Sequence, residues 1–286
     1  MRLLFFTLTF ILIAGASAMA EQTQRSSPGC TKGGKEAQEL FQQALNYHHG
    51  LNGMSYDVEK AIKFYEESLA LGNPKAAINL GTLYRTAFAT HQESRATRLE
   101  YMNALYKYAT ELGCPDGYYF LALSSYEGWG VKQSKRDGDA YIQKGLEAGS
   151  LPCMASHGLS LKESGNREEA KKWLRKAVDG GFGLAAHHLF ITFWVEKNYP
   201  AMIDALRIGA KLGDTNCLYS LFNIYGKGAD GQPQDKEYAR CFWKLYKSIN
   251  DEAPPPLFEN FDELCPPREV IPYNAKDHSM PPEEEF

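Results

Sequence analysis

Residues 213–228 read GDTNCLYSLFNIYGKG, and this stretch decides the fold. Cys217, Leu221 and Tyr225 recur every four residues, which places them on one face of a helix. Gly213 stands where a preceding helix must stop, and Gly228 stands at the following turn. The same phrase starts again at Gly72 (GNPKAAINLGTLY), Gly113 (GCPDGYYFLALSSYEGWG), Gly149 and Gly181, and in a worn form at Gly33. These glycines lie 32 to 41 residues apart, and each copy is followed by a second helical stretch. That period predicts stacked helix pairs, because no single pair can bury its own apolar face.

Outward from this stretch, the other copies supply the boundaries. In the first pair, Ala37, Phe41 and Leu45 form the buried stripe of a helix over 36–47. Asp57 caps a second helix whose Ala61, Phe64, Tyr65 and Leu69 pack back on the first. Pro74 sits in the first turn of the next helix, where proline is tolerated. The second pair has no glycine in its inter-helix loop and a long second helix. The third turns at Gly128-Trp129-Gly130-Val131, and its second helix covers 135–147. Second helices of the fourth, fifth and sixth pairs are expected at 166–178, 201–212 and 235–249. No stretch alternates with period two for long enough to argue for a sheet, so the expected class is all-α, with about six pairs across 33–250.

The two ends read differently. Arg2, an apolar run over 3–14 interrupted by Thr7 and Thr9, and two small-x-small sites ending at Ala18 and Ala20 read as a cleaved secretory signal peptide over 1–20. Residues 21–32 are polar and expected to be loose. Over 251–286 the Pro254–Pro256 run, Pro266-Pro267, Pro272 and Pro281-Pro282 rule out a long helix. Phe258, Phe261 and Leu264 are expected to cover the end of the last pair, and the remainder is an acidic, Pro-rich tail. From residue 251 on, ten acidic residues face Arg268 and Lys276, a local charge of -8 within a chain total of -4. Nucleic acid is therefore not an expected partner, and no later apolar run reaches membrane length.

All six cysteines follow the cleavage site, and none form a C-x-x-C pair. Disulfides are expected in an exported chain, and Cys114 with Cys153, both at starts of neighbouring first helices, is the favoured pair. Cys217 fills the slot that Ala76 and Ala185 fill elsewhere, and reads equally as a core residue. No catalytic residue, metal ligand set or cofactor site is expected. His48-His49 and His187-His188 are adjacent on helices, so their rings diverge by about 100° and do not converge on one metal. They read as surface or groove residues. H-E-x-x-H, G-x-S-x-G and a phosphate-cradling loop are all missing from the sequence.

The spacing Gly72, Ala76, Leu80, Gly81, Tyr84 resembles the Sel-one-like repeat, as do the Gly128-x-Gly130-Val131 turn and the phrase Asp57, Ala61, Phe64, Tyr65. Asp235, Ala239 and Phe242-Trp243 echo that phrase in the last pair. The resemblance covers 33 to about 250. It implies a right-handed α-solenoid related to tetratricopeptide arrays, with first helices lining a concave face. By that analogy, offsets of three, six, ten and thirteen from the leading glycine face a protein partner. They give Lys75, Thr82 and Arg85; Asp116, Tyr119 and Tyr126; His187 and Trp194; and Asn216, Tyr219 and Asn223. More narrowly, an exported array closed by Cys265-Pro266-Pro267 and an acidic tail resembles the periplasmic immunity proteins that accompany type VI secretion lipase effectors, the phospholipase D class above all. That resemblance implies a non-enzymatic periplasmic protein that binds and neutralises a secreted lipase. Glu283, Glu284, Glu285 and Phe286 are then candidates to enter the enzyme's anion-attracting site. The competing readings are an envelope scaffold and, remotely, an envelope hydrolase.

Overall fold

The computed structural model describes residues 27–86, 94–249 and 258–270. The expected signal peptide and the tail residues Glu283, Glu284, Glu285 and Phe286 lie outside the described residues. The fold is all-α and of the solenoid class, and the described residues form six helix pairs. They are α1 (Lys35–His49) with α2 (Val58–Ala70), α3 (Pro74–Thr86) with α4 (Arg95–Glu111), α5 (Asp116–Glu127) with α6 (Lys135–Glu147), α7 (Leu151–Glu163) with α8 (Arg167–Asp179), α9 (Gly183–Val195) with α10 (Tyr199–Lys211), and α11 (Thr215–Lys227) with α12 (Lys236–Ile249). A single turn, α13 (Phe261–Leu264), follows. The chain divides into two compact units, the first holding α1–α8 and the second α9–α13.

Local chemistry sets the boundaries. The leading glycines 72, 113, 149, 181 and 213 all adopt φ between 80° and 97°, the left-handed stop that a side chain resists. Side-chain caps open the helices: Asp57 accepts from Lys60 N at 3.0 Å, Asp214 from Cys217 N at 2.8 Å, and Asp235 from Tyr238 N at 2.8 Å. α3 begins at Pro74, as the sequence predicts. Ala37, Phe41, Leu45, Ala61, Tyr65, Cys217, Leu221 and Tyr225 are all buried, as their stripes predict, whereas Phe64 and Leu69 of the second helix are half-buried.

Within each unit, the second helix of one pair packs on the first helix of the next. Two glycines permit the closest approaches. A Cβ on Gly145 would lie 2.2 Å from Cys153 Sγ, and one on Gly209 would lie 2.3 Å from Cys217 Sγ. Cys153 and Cys217 are therefore small stacking residues with free, buried thiols, and burial pushes the Cys153 thiol up to about 12. This corrects the expected Cys114–Cys153 bridge. The Cys153 side chain is turned into α6, and Cys114 bonds instead to Cys30, 84 residues earlier. A second disulfide joins Cys241 to Cys265 across 24 residues.

The segment expected to be loose is fixed over 27–32. Besides the Cys30–Cys114 bond, Lys32 Nζ donates to Leu112 O at 2.5 Å, and Ser27 Oγ accepts from Leu151 N at 2.7 Å. The segment after α12 also differs from expectation. Phe258 and Phe261 are buried, but Leu264 is 48% exposed. The segment lies across α10 and α12: Phe258 N donates to Lys211 O, Phe261 packs on Phe242 and under the Arg207 guanidinium, and Arg207 bonds to Asp262 and to Cys265 O. Residues 258–270 cover the flank made by the second helices rather than the terminal surface of the last pair.

Candidate functional site

In the first unit, most of the expected partner-facing residues are used internally. Asp116, only 3% exposed, accepts hydrogen bonds from the Ser27 hydroxyl, from Ser27 N and, at 2.9 Å, from Ser150 Oγ. Burial pushes its carboxyl up, against the opposing effect of these donors and of the Lys75 charge. Lys75 is half-buried, and burial pulls its ammonium down to about 8. Thr82 is buried, with its hydroxyl on Ile78 O at 3.1 Å and 3.4 Å from the Tyr106 hydroxyl. Arg85 lies over the Trp129 ring, 4.8 Å from its centroid. Tyr126 rests against Gly138 of α6 and donates to Asp139 Oδ1 at 2.9 Å. Tyr119 is 3% exposed.

Asp116, Thr82 and Tyr119 are thus corrected from surface to interior. For Tyr119 the physical reason is register: offset six from the leading glycine points along the stack, so the next first helix covers it, and Ile78 and Ala155 hold the same offset and are buried as well. Asp116 is covered by Ser27 and Ser150, and Thr82 lies by Tyr106 of its own pair. His48 is a further departure. It lies against Tyr65, with Nδ1 3.1 Å from the hydroxyl, and burial pulls its imidazole down to about 3.

The second unit keeps its candidates accessible. Trp194 and Tyr219 are 48% and 49% exposed, Asn216 is exposed, and His187 and Asn223 are half-buried. Trp194 Nε1 donates to Asp230 Oδ1 at 2.8 Å, which fixes the indole while its face stays open. Tyr219 belongs to a surface cluster that sequence reasoning missed. Its ring lies 6.1 Å from Phe222 and 5.8 Å from Tyr246; Phe222 lies 4.9 Å from Trp243, and Trp243 stacks on Tyr246 at 5.3 Å. Lys247 Nζ sits 5.0 Å from the Trp243 centroid. Such aromatic surfaces with neighbouring amides suit recognition of a protein.

Among the described residues, one group places three potential metal ligands together: Cys30, Cys114 and Asp116. The two sulfurs are bonded to each other, and the carboxylate is held by serines, so this group is structural.

These features define an all-α helix-pair repeat protein. Residues 44–73, 115–150, 153–182 and 215–244 match the family model of the Sel1 repeat. None of the curated protein sequences matches it. Among solved structures, it is similar to immunity protein Pa5087 from Pseudomonas aeruginosa, with TM-score 0.70, 20% identity, and coverage of 84% of this chain and 91% of that one. Immunity protein PA5088 from the same organism gives TM-score 0.65 and 19% identity over 83% and 90% of the two chains. A Sel1 repeat protein from Oxalobacter formigenes gives TM-score 0.52 and 20% identity over 74% and 87%. At these identities the likeness is one of fold. Among the described residues, no helix is long and apolar enough to cross a membrane.

Proposed function

We propose that this chain is a non-enzymatic immunity-type protein that binds and neutralises a secreted lipase of the phospholipase D class in the periplasm. The observation that carries the reading is the set of accessible aromatic and amide residues of the second unit, with Trp194 and Tyr219 about half exposed. Exposed aromatics on a rigid helical frame are the usual anchors of protein interfaces. Two solved neighbours of this fold are immunity proteins, and two disulfides suit an oxidising compartment reached through the signal peptide. In this reading Glu283, Glu284, Glu285 and Phe286 enter the enzyme's phosphodiester-binding site, where their carboxylates stand in for phosphate.

The test is a titration of the cognate lipase, acting on phosphatidylcholine vesicles, with the purified full chain. Stoichiometric loss of hydrolysis is expected, and Trp194→Ala and Tyr219→Ala each weaken the complex by about tenfold or more. An enzyme that forms no complex and keeps its activity overturns the reading. Truncation after Ala275 is expected to keep binding and lose inhibition; full inhibition by the truncated chain removes the tail from the mechanism.

A further inference from the structure

Tyr246 occupies a position where the third and fifth pairs hold glycine. Counted from the helix caps Ser134, Asn198 and Asp235, Gly145, Gly209 and Tyr246 are equivalent. Gly145 and Gly209 admit Cys153 and Cys217, the small residues of the next first helix. By the same count Trp243 matches Ile142, which is buried, and Tyr219 matches Tyr119. The cluster of Tyr219, Phe222, Trp243 and Tyr246 is therefore the seat in which each earlier pair of a unit receives a helix. On α11 it lies opposite Cys217, the residue that faces back into the stack. Among the described residues, 258–270 do not cover it, because they lie on α10 and the other side of α12.

We infer that this seat takes an acidic amphipathic helix of the partner protein; the inference rests on the protein-binding reading above. Helical form follows from what fills the equivalent seats. Acidity follows from charge: α11 and α12 together carry five basic side chains and one acidic one. Arg240, Lys244 and Lys247 are exposed along the edge of the cluster. A bulky Tyr246 in place of glycine keeps the incoming backbone farther out than inside the array, so the contact is made by long side chains and is reversible. A second copy of this chain would bring the same basic stripe against itself, which disfavours self-stacking.

The probe is an 18-residue helical peptide with leucines on one face and glutamates elsewhere; its lysine-for-glutamate counterpart is the control. Fluorescence anisotropy with the full-length mature chain is expected to give binding in the range of about 10–100 µM for the acidic peptide and at least about tenfold weaker binding for the basic one. Tyr219→Ser and the pair Lys244→Glu, Lys247→Glu each lower acidic-peptide affinity about tenfold or more, with unchanged helical circular dichroism. Equal binding of both peptides, or indifference to these substitutions, overturns the proposal. So does a concentration-dependent dimer that Tyr219→Ser abolishes, which would assign the seat to a second copy. A tenfold gain in peptide affinity on Glu283→Gln, Glu284→Gln, Glu285→Gln would assign it to the chain's own terminus and equally overturn the proposal. The lipase titration is a separate readout. Peptide binding without inhibition counts against the immunity reading, and inhibition that ignores Tyr219→Ser counts against the seat.

Discussion

Tyr119 and Tyr219 are the same residue type at the same offset in two copies of one repeat, yet one is 3% exposed and the other 49%. In the third pair α7 follows and closes over the ring; after the sixth, the described residues hold only the single turn α13, which packs on Phe242 and Arg207 instead. The difference teaches that a repeat position has no fixed role. Whether it is core or surface depends on whether a neighbour arrives, and the terminal copy converts a stacking residue into an interface residue.

The strongest way to break this comparison is to give the third pair the residue of the sixth. Gly145→Tyr places a ring where Cys153 Sγ already sits 2.2 Å from a Cβ, and a loss of about 3 kcal/mol or more is expected in urea unfolding. Tyr246→Gly, the reverse exchange, should cost no more than about 1–2 kcal/mol, because the ring rests on a surface cluster. Equal costs for the two exchanges would refute the equivalence.

Tyr119→Ala should cost about 3–5 kcal/mol with a lower midpoint, while Tyr219→Ala stays under about 1.5 kcal/mol and shows its effect in partner binding.

The two covalent staples come next. Cys30→Ser removes a loop constraint worth about 2–4 kcal/mol in the chain-entropy account. Non-reducing peptide mapping should recover Cys30 with Cys114 and Cys241 with Cys265; Cys153 and Cys217 should alkylate only after denaturation. Any Cys114–Cys153 peptide would overturn the assignment.

A pH dependence is expected from the first unit. Burial holds Lys75 at about 8, below its ordinary 10.5, so between these values the unfolded chain binds more protons than the folded one. Stability relative to Lys75→Met should therefore rise as pH goes from about 8 to 10.5, by on the order of 2 kcal/mol, with the cost of the buried charge carried in full below pH 8. A flat difference between the two proteins would show that Lys75 is solvated.

The helices were legible in the sequence because their signals are local. Pro74, the leading glycines and the expected 135–147 helix correspond directly to the observed bounds. What was not legible depends on residues distant in the chain. Nothing near Cys114 says that Cys30 crosses to it, and the polar composition of 21–32 hid a Ser27 that serves Asp116 and Leu151. Offsets borrowed from tetratricopeptide geometry found Trp194, Asn216 and Tyr219 as accessible residues. They misplaced Thr82, Asp116 and Tyr119, because what lies against these side chains (Tyr106 for Thr82, Ser27 and Ser150 for Asp116, the following first helix for Tyr119) is distant in the chain. One signal for the missed cluster was available: α12 has tyrosine where α6 and α10 have glycine.

The Cys30–Cys114 bond has a consequence for how the first unit comes apart. An array held by nearest-neighbour contacts behaves as a one-dimensional chain of coupled spins, and it unzips from its ends, one pair at a time. The first pair, α1 with α2, ought to be the earliest to fray. Here the segment preceding α1 is bonded to Cys114, two residues before α5, and its Ser27 is hydrogen-bonded to Asp116 and Leu151 at the starts of α5 and α7. The free end is thereby tied to the interior, and a local opening of the first pair must drag on the third and fourth. Amide exchange in α1 and α2 should consequently track that of α5, so that a linear stack melts as a closed ring.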